Sequence, residues 1–193
     1  LHPGQVRRDQ AVSERGATDA RARAAIARSK PWPKGHGFED FTPGQIWHHH
    51  WGRTLTEADS LLFTTMTLSY NPLYLNRAYA RAHGHPDLVV NPLLVLNTVL
   101  GLSVEDLSEA GGPLLAVDAV TYHAPVYPGD TLLARSTTRA CRRSERHPEH
   151  GVVSWHTEGV RASGELEIDF QRTNLVRVRA RGAELAAAPG GPP

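Results

Sequence analysis

Cysteine is nearly absent. Cys141 is the only one in 193 residues, which excludes an intramolecular disulfide and a cysteine-rich zinc site and fits a reducing compartment. Charge of one sign is missing as well. Lys and Arg (21) almost balance Asp and Glu (20), for a formal net charge of +1, so no global electrostatic attraction to nucleic acid or an anionic membrane is expected. No apolar run approaches the roughly 20 residues that a bilayer span needs, and the opening LHPGQVRRDQAVSERGATDA lacks the apolar core of a signal peptide. The expectation is a soluble, cytoplasmic protein. No internal repeat is present, and 193 residues suffice for one ordinary domain with a real core.

What is present falls into three stretches. Residues 1–35 form a polar N-terminal extension, in which TDARARAAIARSK reads as a short Ala/Arg helix that stops before Pro31, since a residue preceding proline is disfavoured in helical conformation. The segment KPWPKGHGFEDFTPGQ is loop, with Trp32, Phe38 and Phe41 as packing anchors. The body runs over 36–181, and 182–193, with its AAAPGGPP, is a disordered tail.

Within the body, QIWHHHW has the composition of a strand. Thr56 can cap the helical run EADSLLFTTM, with Glu57 and Asp59 at the positive end of its dipole. A second helix is predicted over NRAYARAHG, ended by Gly84, and a third over PLLVLNTVLGL, opened by Pro92. The third is apolar nearly all round, which predicts burial. Then LLAVDAVTYHAPV, DTLLARSTTRA, GVVSWHTEGVRA and GELEIDFQRTNLVRVR read as four strands separated by turns. The order of elements predicts an α+β architecture, one long helix wrapped by a curved antiparallel sheet, which is the layout of a single hot-dog fold.

FEDFTPGQ, GRTLTEADSLLF, Asn71-Pro72-Leu73, NRAYARAHG, HAPVYPGDTL and the closing GELEIDFQRTNLVRVR, in this order, resemble the MaoC-like hydratase/dehydratase family, and within it the actinobacterial proteins related to mesaconyl-CoA hydratase. The resemblance covers about residues 36 to 181. It implies a hot-dog domain, pairing of sheets into a homodimer or into a heterodimer with another hot-dog chain, and a tunnel at the subunit interface for an acyl-CoA or acyl-carrier-protein thioester. The implied reaction adds or removes water across a 2-enoyl thioester. The only cofactor is then the CoA or phosphopantetheine carried by the substrate, with no metal. Such a site needs a base for water, an acid for the α carbon and donors for the enolate-like oxygen.

The family signature Gly-Asp-x-Asn-Pro-Leu-His appears here as Leu68-Ser69-Tyr70-Asn71-Pro72-Leu73-Tyr74. The expected aspartate is Ser69 and the expected histidine is Tyr74, so the two groups that exchange protons near neutral pH are gone. Tyr74 can still donate a hydrogen bond or act as an acid, and Asn71 can orient water or thioester but is no base. Where the family commonly has His-Gly at the start of the buried helix, this chain has Asn91-Pro92; the backbone N–H groups around Asn91 and Leu93 then remain as candidates to polarise a thioester carbonyl. His85 and His123 fall on segments that approach the tunnel, as does His83, and each also has a surface or packing reading.

Arg53 and the run Arg139, Arg142, Arg143, Arg146 suit CoA phosphates, or a solvated hairpin. His48 and His50 share a strand face, but two ligands without a carboxylate or cysteine make no metal site. Tyr122 and Trp155 read as core or interface residues. Three functions stand at this point: a hydro-lyase using Tyr74, Asn71, Ser69 and His85 or His123; a non-catalytic thioester-binding subunit paired with a catalytic hot-dog chain; and a thioesterase.

Overall fold

The computed structural model describes residues 19–25, 27–28 and 35–179; Trp32 and the 182–193 tail lie outside them. The chain divides into two units, Leu1–Pro33 and Lys34–Pro193. In the first, the described residues 19–25 and 27–28 are helical.

The second unit is a five-stranded sheet in the order β1-β3-β4-β5-β2, all neighbours antiparallel. The strands are β1 (Ile46–Thr54), β2 (Leu114–Tyr122), β3 (Thr131–Arg143), β4 (His150–Arg161) and β5 (Leu166–Arg177). Helices α1 (Glu57–Met66), α2 (Pro72–Leu75), α3 (Arg77–Ala82), α4 (Pro92–Leu102) and α5 (Val104–Leu107) all lie between β1 and β2. This is the hot-dog layout expected from the order of elements. Strict alternation along β4, with Val153, Trp155 and Thr157 buried, directs one face of the sheet onto α4. Val95 and Val99 of α4 pack there with Leu132, Ile168 and Phe170. A second cluster of Phe41, Leu107, Val153, Trp155 and Val176 closes the other end, with Phe38 packed against it, so both phenylalanine anchors hold the loop ahead of β1.

Local chemistry sets the helix ends. Thr56 Oγ1 accepts from Asp59 N at 3.2 Å while Asp59 Oδ2 accepts from Thr56 N at 2.9 Å, a reciprocal cap that also holds the Asp59 carboxyl below its usual range. The C-terminus of α1 is less ordinary. Leu68 N donates to Thr65 O and Ser69 N to Thr64 O, with Leu68 in the left-handed region at φ 57°. That is the hydrogen-bond pattern of a Schellman turn, which glycine normally closes. A leucine there stores about 1 kcal/mol of strain, and Leu68 stands where the family signature has its glycine.

Gly84 ends the second helix as the sequence reading has it: the helix runs to Ala82 with His83 as its cap, Gly84 follows in the left-handed region at φ 87°, and Gly84 N donates to Arg81 O and His85 N to Ala80 O, the turn that glycine normally closes. Two elements depart from the sequence reading. β2 ends at Tyr122 rather than continuing through Val126, since Pro125 cannot donate to a ladder. And α4, apolar nearly all round, is fully buried only at Val95 and Val99; Leu93 is 49% exposed, because the sheet wraps one side of the helix only.

Candidate active site

Below the point where β2 ends, an apolar cavity of about 320 Å³ opens beside the first turn of α4, bordered by Val90, Pro92, Val95, Tyr122, His123 and Ala124, among others. Its shape follows from a β-bulge. Between the pairs Asp118–Gln171 and Thr121–Asp169, β2 carries two residues against one on β5, and Ala119 adopts φ 50°. A bulge re-aims the side chains that follow it. After it, Tyr122 pairs with the core residue Ile168 and turns toward α4, where its hydroxyl donates to Pro92 O at 3.0 Å. His123 falls on the opposite face, at the rim of the edge strand, and its Nε2 lies 2.5 Å from Asp169 Oδ2.

Of the eight residues expected at the site, His123 borders this cavity. Tyr74 stands beside it: burial raises its pKa, and a charge on Tyr74 would raise that of Tyr122 further. Both phenols therefore stay protonated at neutral pH and serve as donors. Leu73, next to Tyr74, is tied to the cavity wall through Val89 N to Leu73 O at 3.0 Å. Asn71 works as the N-cap of α2, its Oδ1 accepting from Leu73 N. Ser69 Oγ accepts from Thr67 Oγ1 at 3.2 Å. His85 is turned to Tyr127 Oη, 3.1 Å away, outside the cavity.

The residues expected to bind the thioester sit differently from the sequence reading. Asn91 is 1% exposed; its amide donates to Thr64 Oγ1 at 3.1 Å, its backbone N to Ser60 Oγ at 3.2 Å, and its Oδ1 caps Leu93 N at 3.0 Å. Leu94 N and Val95 N both donate to Asn91 O. With proline lacking an N–H, every first-turn donor of α4 is taken up inside the chain, so the helix start offers no free donor to a carbonyl. The Leu93 side chain lies on the uncovered side of α4. Arg53 pairs with Asp59 at 3.0 Å and borders a separate hollow with Trp51 and Phe63. Arg142 and Arg146 border another hollow with His147, whereas Arg143 is paired with Glu39 at 3.5 Å.

Beneath the sheet, Asp106 Oδ2 accepts from His49 Nδ1 at 2.6 Å, His49 Nε2 faces Ser136 Oγ at 2.9 Å, and Ser136 bonds Thr157 Oγ1 at 2.8 Å. The order is that of a hydrolytic triad, yet Ser136 is fully buried, so it is closed to a thioester. Burial is the largest influence on His49 and lowers its pKa, with Asp106 opposing. The unfolded chain regains the ordinary value near 6.5 and so binds more protons than the native chain between the two values. Stability should rise with pH through that window and fall as pH drops below about 6.5. Thermal unfolding followed from about pH 8 to about pH 5 should show a flatter acid limb in His49→Gln than in the parent chain; identical limbs would contradict it.

Sequence reasoning missed Asp169. It lies 46 positions from His123, and only the bulged register of β2 against β5 brings them together. Glu167, also missed, is 1% exposed; burial raises its pKa, and Arg161 Nη2 lies 2.7 Å from its Oε1. Among the described residues, no group of three or more His, Cys, Asp or Glu is arranged to hold a metal, and no helix is long and apolar enough to cross a membrane.

A family model described as mesaconyl-CoA hydratase matches residues 16–191. The chain is similar to the mesaconyl-CoA hydratase of Haloarcula marismortui, 39% identical over 167 residues that make up 86% of this chain and 46% of that protein. Among solved structures it superposes on a putative MaoC domain protein dehydratase from Chloroflexus aurantiacus with a TM-score of 0.74 and 32% identity, covering 85% of this chain and 47% of that one. It also superposes on a Mycobacterium tuberculosis protein described as a double hot-dog fold, with a TM-score of 0.65 and 22% identity over 81% of this chain and 47% of that one, a likeness of fold. The chain spans about half the length of the curated relatives it matches first.

Proposed function

The chain belongs to the mesaconyl-CoA hydratase family, and from that premise we propose that it adds water to, or removes it from, a 2-enoyl thioester held in the cavity where β2 meets the start of α4. The observation that carries this reading is the cavity itself: apolar walls of Val90, Val95 and Ala124 suit an acyl chain, and Tyr122 and His123 supply polar atoms at its border. Since the first-turn donors of α4 are occupied, the thioester oxygen takes its hydrogen bond from Tyr74, whose protonated phenol has no hydrogen-bond partner among the described residues. Asn71 caps the backbone of the same turn, and Ser69 is held there by the bond from Thr67 Oγ1. CoA or phosphopantetheine enters as part of the substrate, with no other cofactor, and the reaction is cytoplasmic.

A second hot-dog unit completes the site in this reading, either another copy of this chain or a different one. Support comes from the outer edge of β2, which has no neighbouring strand among the described residues and leaves Leu114, Leu115 and Tyr122 between 43% and 51% exposed, and from the relatives of twice the length.

The loss of free donors on α4 favours one alternative, a thioester-binding subunit that relies on a catalytic partner. A thioesterase has less support, since Ser136 is buried. Incubation of the purified chain with mesaconyl-CoA and with crotonyl-CoA, read by loss of enoyl absorbance and by the mass of one added water, separates them. Hydration by the chain alone supports the proposal. Activity that appears only on adding a second hot-dog chain supports the subunit reading, and release of free CoA thiol supports hydrolysis.

A further inference from the structure

Val89, Val90, Val95 and Val126 give the cavity a hydrocarbon wall, and no lysine or arginine is among the described residues that border it. Its polar groups are spoken for. The Tyr122 hydroxyl donates to Pro92 O at 3.0 Å. The His123 ring lies on the opposite face of the sheet, with its Nε2 2.5 Å from Asp169 Oδ2. Tyr74, beside the cavity, has one phenolic proton to give, and the thioester oxygen takes it.

One cation does touch the wall from behind. Arg161 Nη2 donates to Pro125 O at 3.4 Å, and Pro125 borders the cavity. Its guanidinium already lies 2.7 Å from Glu167 Oε1, 3.5 Å from Asp130 Oδ2 and 3.5 Å from Glu165 Oε2. Glu167 is 1% exposed, so this pairing is built into the core and is not lent to a ligand. With three carboxylates around one guanidinium, Arg161 has no charge to spare for a fourth.

We propose that the cavity selects a thioester whose acyl group is uncharged and aliphatic, and rejects one that carries a free carboxylate. The relatives named for mesaconyl-CoA take their name from a thioester of the second kind, a branched dicarboxylic one. The physical reason is desolvation: an ionised carboxylate drawn out of water needs a paired cation or several directed donors, and this cavity presents neither. Rejection by an unmatched charge is a stronger filter than any fit of methylene groups to apolar walls. The inference deepens the reading that an acyl thioester occupies this cavity, and it rests on that reading.

The test compares butyryl-CoA with succinyl-CoA, which share a four-carbon chain and differ in the terminal carboxylate. Calorimetric binding to the full chain near neutral pH, with free CoA as the baseline, should find butyryl-CoA at least about 30-fold tighter. Supplying the missing cation should narrow that gap. Ala124 is an exposed residue on the border of the cavity, and Ala124→Arg should bring the two affinities about tenfold closer than Ala124→Gln, which adds reach without charge. Equal affinities in the parent chain, or the same gap in the arginine and glutamine variants, overturn the selectivity and leave the hydration reading intact. Neither ligand can be hydrated, so the measurement is independent of turnover. A chain that selects butyryl-CoA but does not hydrate crotonyl-CoA contradicts the hydration reading and supports the selectivity. Binding of both no tighter than free CoA overturns the cavity as an acyl site and the selectivity with it.

Discussion

Arg172→Ala should cost about 3–5 kcal/mol of stability, the size expected when a buried, multiply bonded polar side chain is removed. Arg172 is 1% exposed. Its guanidinium donates to Ser103 Oγ at 2.6 Å, to Ser108 Oγ at 2.9 Å and to Asn174 Oδ1 at 3.1 Å and 3.2 Å. Among the described residues, no carboxylate pairs with it directly. Burial pushes its pKa down to about 10, which still leaves it charged at neutral pH. Two features offset that buried charge. Ser103 is the C-cap of α4, so the cation sits at the negative end of the helix dipole, and the guanidinium carbon is 5.6 Å from the centre of the Trp155 ring, within cation–π range. Arg172→Met separates charge from packing. Ser103 Oγ keeps its bond to Leu100 O at 2.7 Å, the stem volume is retained, and the loss should be only about 1–2 kcal/mol, chiefly the stranded Asn174 amide oxygen. Urea unfolding measures both, and a methionine variant less stable than the alanine one would contradict this account.

Gly159→Val should be nearly as damaging. A Cβ at Gly159 would stand 2.5 Å from Val99 Cγ2 and 2.7 Å from Ile168 Cγ2, at the place where α4 lies against β4. Val99 and Ile168 are both fully buried, so neither can swing into solvent. The added carbons must push α4 off the sheet, at a cost of about 3 kcal/mol, the upper part of the usual overpacking range. Because Pro92 and Val95 of α4 border the acyl cavity, the same shift should weaken thioester binding. Val99→Ala in the same chain should recover part of the stability, since it vacates the clash; a double variant no more stable than Gly159→Val would rule out this contact as the cause.

The parts of the fold that were legible in the sequence are those set within one turn of chain. Thr56 and Asp59 announce the start of α1 three residues apart, and Pro92 announces α4, because capping is local. The order of one strand, then helices, then a run of antiparallel strands pointed to the hot-dog layout. What stayed hidden depends on register or on a residue behaving against type. Nothing in LLAVDAVTY shows that Ala119 bulges, and without the bulge Tyr122 and His123 would exchange faces. Leu68 is a residue that ordinarily avoids the left-handed region, so its turn could be inferred only from the family glycine that it replaces. Asn91 was legible as a helix start, but its occupation by Ser60, Thr64 and Leu93 is tertiary, and this takes the helix start out of thioester binding. His123 was named among several histidines; its partner Asp169 comes from a strand that β2 meets only in the folded sheet.

The most direct test of the central claim is enoyl-CoA hydration in Ala124→Trp. Ala124 is an exposed residue on the border of the cavity, so an indole there should occupy the acyl space without entering the core. The expected result is a fall of about tenfold or more in kcat/KM for crotonyl-CoA, about 1.4 kcal/mol of transition-state binding, with an unchanged thermal midpoint. Hydration by the tryptophan variant at the parent rate would place the reaction elsewhere in the molecule.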